Sequence, residues 1–217
     1  MKALCKAGAP LWTPLGILLF LWISVNLVFY GIQIGVKDFQ GNMLVNTSVS
    51  AVADMIGYSL AGFGANILGR KPSLIMGFIV GGVACLLYSF LKQYIWMVYL
   101  SVFLGKLGIS FCFNVMYILT AETFPTEYRG TVFGATSFFA RAGGFLAPFA
   151  EQLLQGVFML IFAILSIVSA ALVLCLRETK YLRMPDSLDE YFSPMNIKPK
   201  DKAAGSLHVA GLGEESD

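Results

Sequence analysis

Charge is what this sequence has least of. Of its 217 residues only 13% are Asp, Glu, Lys or Arg, about half the share found in ordinary soluble domains. Positive and negative groups nearly balance at a formal net charge of +2, so there is no basic footprint for a nucleic acid. Histidine is nearly absent: the one copy, His208, lies in a polar stretch near the end. The four cysteines, Cys5, Cys85, Cys112 and Cys175, are far apart. They form neither a metal-binding spacing nor a disulfide framework. With no recognisable nucleophile–base pair and no metal set, enzyme chemistry is disfavoured and no cofactor is expected. What fills the chain is apolar: 57% hydrophobic residues and a mean hydropathy of +0.74. That composition belongs to a membrane protein.

The scarce charges are also unevenly placed. Ala7 to Val36 has none, and Pro14 to Ile34 makes a full span. Phe39 to Gly69 has only Asp54, Pro72 to Leu91 none, and Gln93 to Ala121 only Lys106. Gly130 to Ala150 has only Arg141, and Gln152 to Leu176 none. A helix needs about 20 apolar residues to cross a bilayer, so the pattern predicts six transmembrane helices with short turns. The first run is too long for a signal-peptide core and is read as a true span. Basic residues orient the bundle. With the N-terminus in the cytoplasm, Lys2, Lys6, Arg70, Lys71, Arg129, Arg177, Lys180 and Arg183 are inside, and only Lys37 and Lys92 outside. The expected organisation is a cytoplasmic segment 1–13, a six-helix bundle 14–177 and a cytoplasmic, largely disordered tail 178–217.

Three charges fall deep in the bilayer. Asp54, Lys106 and Arg141 all lie near the midplane of their spans, where each costs at least about 2.5–3.5 kcal/mol. Groups so placed turn toward one another or toward a watery pathway. Two cations and one acid leave a net positive charge. If Asp54 pairs with one cation, the other is left for a negative group on a ligand. Asn26, Tyr30 and Gln33 make one polar-aromatic face on the first helix, Phe138 lies beside Arg141, and Tyr58 is one turn from Asp54. Aromatic walls with a few fixed charges suit an amphipathic organic ion. Gly31–Gly35, Gly77–Gly81 and Gly130–Gly134 are small-residue spacings that allow helices to approach closely.

Two clusters mark the inner face. "GFGANILGRKPS" (62–73) puts Gly69, Arg70 and Lys71 at a helix junction, and "AETFPTEYRG" (121–130) carries Glu122, Glu127 and Arg129 around Pro125. Arg129 sits badly at a helix N-terminus, and Glu122 is the obvious carboxylate to offset it. An exchangeable ion-pair network between the two loops is expected to act as an inner gate, formed by Asn66, Gly69, Arg70, Lys71, Glu122 and Arg129.

G62-x-x-x-N66-x-x-G69-R70-K71 resembles the weaker inner-loop signature of the major facilitator superfamily. "FYG" (29–31), "GN" (41–42), "GK" (105–106), "FN" (113–114), "AETFPTEYRG", "ARAGGFLAP" (140–148) and "ETK" followed by "PDSLDE" (178–190) together resemble the organic cation, organic anion and carnitine transporters of that superfamily. The ordered series covers roughly residues 12 to 191. The resemblance implies an all-α transmembrane fold, the six-helix C-terminal half of such a transporter (helices seven to twelve), at the plasma membrane. It implies as partners the lipid bilayer, a small organic ion substrate and an N-terminal half, in the same longer chain or separate, and no nucleic acid. Transport would occur by alternating access. Arg141 falls where anion and carnitine transporters carry Arg and cation transporters carry Asp. Tyr58 stands where anion transporters often carry Lys, which keeps zwitterions such as carnitine open. The expected substrate-binding residues are Arg141, Lys106, Asp54, Tyr30, Asn26, Gln33, Phe138 and Tyr58. The other reading is a non-transporting membrane interaction protein, like the synaptic-vesicle relatives of this family or a truncated regulatory form.

Overall fold

The computed structural model describes residues 9–124, 126–153, 157–176 and 178–179, with side chains from Thr13 onward except that of Glu127. The expected helix end at Pro125 and nearly all of the expected tail lie outside the described residues. Six α-helices follow one another: α1 Ala9–Gly35, α2 Met43–Ile67, α3 Arg70–Leu91, α4 Ile95–Thr123, α5 Thr126–Leu153 and α6 Phe158–Leu174. A 3-10 turn, Val36–Asp38, follows α1. There is no strand among the described residues, as the six apolar runs predict.

Three spans, Thr13–Asp38, Arg70–Leu91 and Ile95–Thr123, are long and apolar enough to cross a membrane by composition alone. The others fall short for two reasons. α6 has 17 residues. α2 and α5 carry more polar and small side chains, because one face of each packs on a neighbouring helix while another carries the deep charges Asp54 and Arg141.

The turns follow from local chemistry. After α1 the chain reverses at Gly41, whose φ is +104°, a conformation open mainly to glycine. Asn42 then caps α2, its side-chain oxygen accepting from the Leu44 amide at 2.9 Å. α2 ends near Gly64, whose carbonyl takes the Leu68 amide. Gly69, at φ +106°, starts α3 in the next residue.

α1 and α4 touch in the middle of the bundle. α5 packs along α1, α2 along α4, and α3 joins α4 to α6. Bilayer lipid is as apolar as Leu, so helices associate there by close fit rather than by escape from water. A Cβ on Gly108 of α4 would stand 2.7 Å from the Gly77 carbonyl oxygen and 2.8 Å from the Gly81 nitrogen of α3. A Cβ on Gly57 of α2 would stand 2.9 Å from the Leu107 carbonyl oxygen of α4. Gly143 of α5 lies directly against the Ile23 carbonyl of α1. Of the expected small-residue pairs, Gly31–Gly35 and Gly77–Gly81 sit at such contacts. Gly130 and Gly134 do not: among the described residues, no atom comes within 4 Å of a Cβ built there. That spacing only permits approach, and no described helix comes close to these two positions of α5.

Candidate functional site

The deep charges divide unequally. α2 and α4 run side by side, and this brings Asp54 to Lys106, with Asp54 Oδ2 3.1 Å from Lys106 Nζ. Ser110, one turn beyond Lys106 on α4, donates its hydroxyl to Asp54 Oδ1. On its other side Lys106 Nζ lies 3.5 Å from the centroid of the Phe29 ring of α1, a cation–π contact. The Lys106 side chain is 0% exposed and that of Asp54 20%. The pair is therefore a closed, nearly neutral unit that only the acid shows to the outside.

Arg141 has the opposite environment. It is exposed, and its Nη1 donates to the Ser137 carbonyl one turn back at 3.3 Å. No carboxylate pairs with it among the described residues. α5 is held close to α1 here: a Cβ on Gly144, three residues on from Arg141, would stand 3.0 Å from the Tyr30 ring. Tyr30 is 42% exposed, Phe138 71% and Phe145 69%. The free cation therefore stands on an open aromatic face shared by α1 and α5.

Between the pair and that face lies a continuous set of rings. Phe113 of α4 is its hub, with the centroids of Trp22, Phe29, Tyr58 and Tyr117 at 5.8, 5.4, 6.5 and 5.6 Å. Tyr30 meets Phe29 edge-on at 5.3 Å. Trp22 is anchored by its indole N–H, which donates to Thr120 Oγ1 at 3.1 Å. Tyr58 and Tyr117 are partly exposed beside it.

The polar face expected on α1 breaks up. Asn26 is buried, and its amide donates to the Trp22 carbonyl of its own helix at 2.9 Å. It is turned into the bundle rather than toward an open surface. Asn26, Tyr30 and Gln33 share a helical face on paper, but that face is wide enough for its two edges to meet different surroundings. Gln33 remains exposed and accepts from Ser50 Oγ of α2 at 3.3 Å.

At the other end of the bundle the basic junction is held by two carboxylates, Glu122 and Glu178. Arg70 grips Glu122 in parallel, Nη2 to Oε1 at 2.6 Å and Nε to Oε2 at 2.8 Å. Thr179 Oγ1 also donates to Glu122 Oε2, at 2.6 Å. Both Glu122 oxygens are thereby engaged, by Arg70 and by Thr179. α4 delivers Glu122 to the α2–α3 junction, and α5 begins beyond it. Glu178, following α6, accepts from the Arg70 and Lys71 amides at 2.9 and 3.0 Å. This carboxylate offsets two cations at the positive end of α3. Lys71 Nζ donates to the Leu174 carbonyl at 2.5 Å. Asn66 is exposed next to this network.

The sequence offered signals for several residues that the expected sets omitted. Phe29 adjoins Tyr30, Ser110 is four residues from Lys106, and Glu178 opens the "ETK" motif. No spacing tied Glu178 to residues 107 and 108 positions away. Among the described residues, no three His, Cys, Asp or Glu side chains gather as a metal site.

A family model described as the Major Facilitator Superfamily matches residues 15–204. An "Organic cation transporter protein" of Drosophila melanogaster is 32% identical over 178 residues, 80% of this chain and 32% of the relative. "Solute carrier family 22 member 15" of Xenopus tropicalis is 35% identical over 184 residues, 79% of this chain and 34% of the relative. "Organic cation/carnitine transporter 2" of Homo sapiens is 26% identical over 186 residues, 83% of this chain and 33% of the relative. The chain spans about a third of the length of these curated relatives. Among solved structures, the inward-open xylose transporter XylE from E. coli superposes with a TM-score of 0.69 at 14% identity, over 94% of this chain and 57% of that one. A peptide transporter, POT, in complex with sulfate gives 0.70 at 15%, over 92% and 44%. These two likenesses establish the fold.

Proposed function

The chain belongs to the Major Facilitator Superfamily, and from that premise we propose that it forms one wall of a transmembrane pathway for small organic ions, with a preference for anions or zwitterions. The observation that carries this reading is the division of charge. Asp54 and Lys106 pair with each other, whereas Arg141 is exposed beside an aromatic surface with no carboxylate against it among the described residues. A substrate carboxylate completes Arg141, and the rings of Tyr30 and Phe138 flank its apolar body. A cationic group on the same molecule would sit against the aromatic surface near the exposed edge of Asp54, where cation–π attraction favours it. Relatives named as organic cation and carnitine transporters support the class of cargo.

In this reading residues 14–177 are the C-terminal six-helix half and work by rocking against an N-terminal six-helix half around a midplane site. Both ends of the chain face the cytoplasm at the plasma membrane, with the tail 178–217 as a cytoplasmic extension. The Arg70–Glu122–Thr179 network and the Glu178 cap then lie on the cytoplasmic face as the inner gate.

The test is uptake of labelled organic anions, carnitine and a simple organic cation by cells expressing the full-length transporter that contains this chain. Arg141→Ala lowers kcat/KM for carboxylate substrates by roughly 10–150-fold, the loss of one charge-assisted contact of about 1.5–3 kcal/mol, with surface expression unchanged. Unaltered carboxylate uptake in Arg141→Ala would sink the assignment.

A further inference from the structure

We infer that Lys37, Asp38 and Glu151 form a proton-operated clasp between the ends of α1 and α5, on the membrane face opposite the Arg70–Glu122 network. The inference does not depend on the transport reading. Lys37 Nζ lies 3.4 Å from Glu151 Oε2 and 3.9 Å from Asp38 Oδ2. Two carboxyl groups thus compete for one ammonium. The Lys37 and Asp38 side chains are 46% and 61% exposed, that of Glu151 only 6%. Water and protons reach the cluster through its exposed half, while the group that must change charge is shielded.

Glu151 follows the apolar run that ends at Ala150 and lies outside it, in the last turn of α5. Its carboxyl holds its proton above the ordinary glutamate range. The main cause is a hydrogen bond shared with Asp38, burial adds to it, and Lys37 opposes it. A hydrogen bond between two carboxyl groups needs a proton on one of them. With that proton, Glu151 bonds Asp38 and the cluster is neutral. Without it, two carboxylates repel each other across a single lysine. A group whose folded pKa is raised contributes stability that is present at low pH and lost as pH rises through that pKa. The clasp is therefore closed in mild acid and loosens toward neutral and basic pH.

The other neighbours leave this balance to the three residues. α1 brings no charge, since Ala7 to Val36 has none. α6 has no acid in its first turn. α2, which packs on the Val36–Asp38 turn, carries Asp54, and α4 carries Lys106 and Glu122; Asp54 and Lys106 are committed to each other, and Glu122 is held by Arg70 at the opposite end of α4. On α5 itself the next charge is Arg141, ten positions back and about 15 Å away. Tyr88 of α3 packs on the ring of Phe39, the residue after Asp38. Farther along α1 and α5, contact is fixed by Gly143 against Ile23 and by Gly144 against Tyr30. The clasp therefore governs only the ends of the two helices.

Difference infrared titration of the purified full chain in lipid nanodiscs follows the protonated-carboxyl band directly. The wild-type band titrates above about pH 4.3, the ordinary glutamate value, and is missing in Glu151→Gln. Lys37→Gln moves the titration up by about one pH unit or more, the effect of removing a nearby opposite charge. Asp38→Asn moves it down. Thermal unfolding gives the second reading: wild type gains Tm relative to Glu151→Gln as pH falls through the same window. A band that survives in Glu151→Gln, or coincident Tm–pH curves for the two proteins, overturns the clasp. Should Glu151→Gln fail to fold, the opposed shifts of Lys37→Gln and Asp38→Asn carry the test. Shifts in the same direction, or none, also overturn it.

Discussion

Lys106, with a side chain fully shielded from solvent, lies 3.1 Å from Asp54, and the charge of each is met inside the bundle by the other. Removing one partner of a buried ion pair leaves an uncompensated charge and costs about 3–5 kcal/mol, whereas removing both charges together can be nearly neutral. Asp54→Asn and Lys106→Gln should each give poorly folded protein with a strongly lowered melting temperature. The double substitution should recover most of the loss. Melting temperatures of the three purified variants decide it, and a double variant as unstable as the worse single one would contradict the mutual-neutralisation account.

Arg70 and Glu122 make two parallel hydrogen bonds in a partly buried setting, with side chains 14% and 10% exposed. Shielding makes such a contact stronger than a surface pair. A double-mutant cycle on Arg70→Ala and Glu122→Ala, read by chemical unfolding, should return a coupling of about 1.5–3 kcal/mol. Coupling below a few tenths would mean that the contact fastens nothing.

Gly69 combines a positive φ with a carboxylate at its missing side chain: a Cβ there would stand 3.0 Å from Glu178 Oε2. Gly69→Ala should cost at least about 1–2 kcal/mol from backbone conformation alone. Glu178→Ala should cost about 1 kcal/mol by uncapping α3. Because the alanine at 69 also displaces Glu178, the two losses should fall short of additivity in thermal melts. Strict additivity would show that Glu178 stays seated in Gly69→Ala.

Two glycines that look alike in sequence should behave in opposite ways. Gly108 touches the α3 backbone at Gly77 and Gly81, while Gly134 faces open space among the described residues. Gly108→Val should force α3 and α4 apart and lower the yield of folded protein sharply. Gly134→Ala should be neutral or stabilising by up to about 1 kcal/mol, the helix-propensity gain. Equal effects at the two sites would refute this assignment of the α3–α4 contact.

Much of the fold was legible because bilayer physics leaves so few choices. Uncharged runs of about 20 residues become helices since no other open backbone arrangement satisfies its hydrogen bonds in lipid. The exceptional residues Asp54, Lys106 and Arg141 announced themselves by being charged within such runs. Gly41–Asn42 and Gly69–Arg70 marked turns through local backbone chemistry. Helical periodicity alone did not separate environments. It grouped the buried Asn26 with the exposed Tyr30 and Gln33, and it did not tell Gly77–Gly81, which meets α4, from Gly130–Gly134, which meets none of the described residues.

The sequence by itself determined six helices, a bias of basic residues toward one end of the bundle, three charges of net sign +1 within the apolar runs and a basic junction needing carboxylates. Those properties depend on composition along the chain and on each group's desolvation, which neighbours scarcely alter. Only the tertiary structure decided which charges cancel. Asp54 could have met Lys106 or Arg141, and the packing of α2 on α4 selected Lys106 and left Arg141 uncovered beside Tyr30. Only packing could bring Glu178 to the Arg70 and Lys71 amides, Glu122 to Arg70, and Glu151 to Lys37. Each of these contacts works over about 3 Å between residues up to 114 positions apart, a distance along the chain at which no local rule of spacing acts.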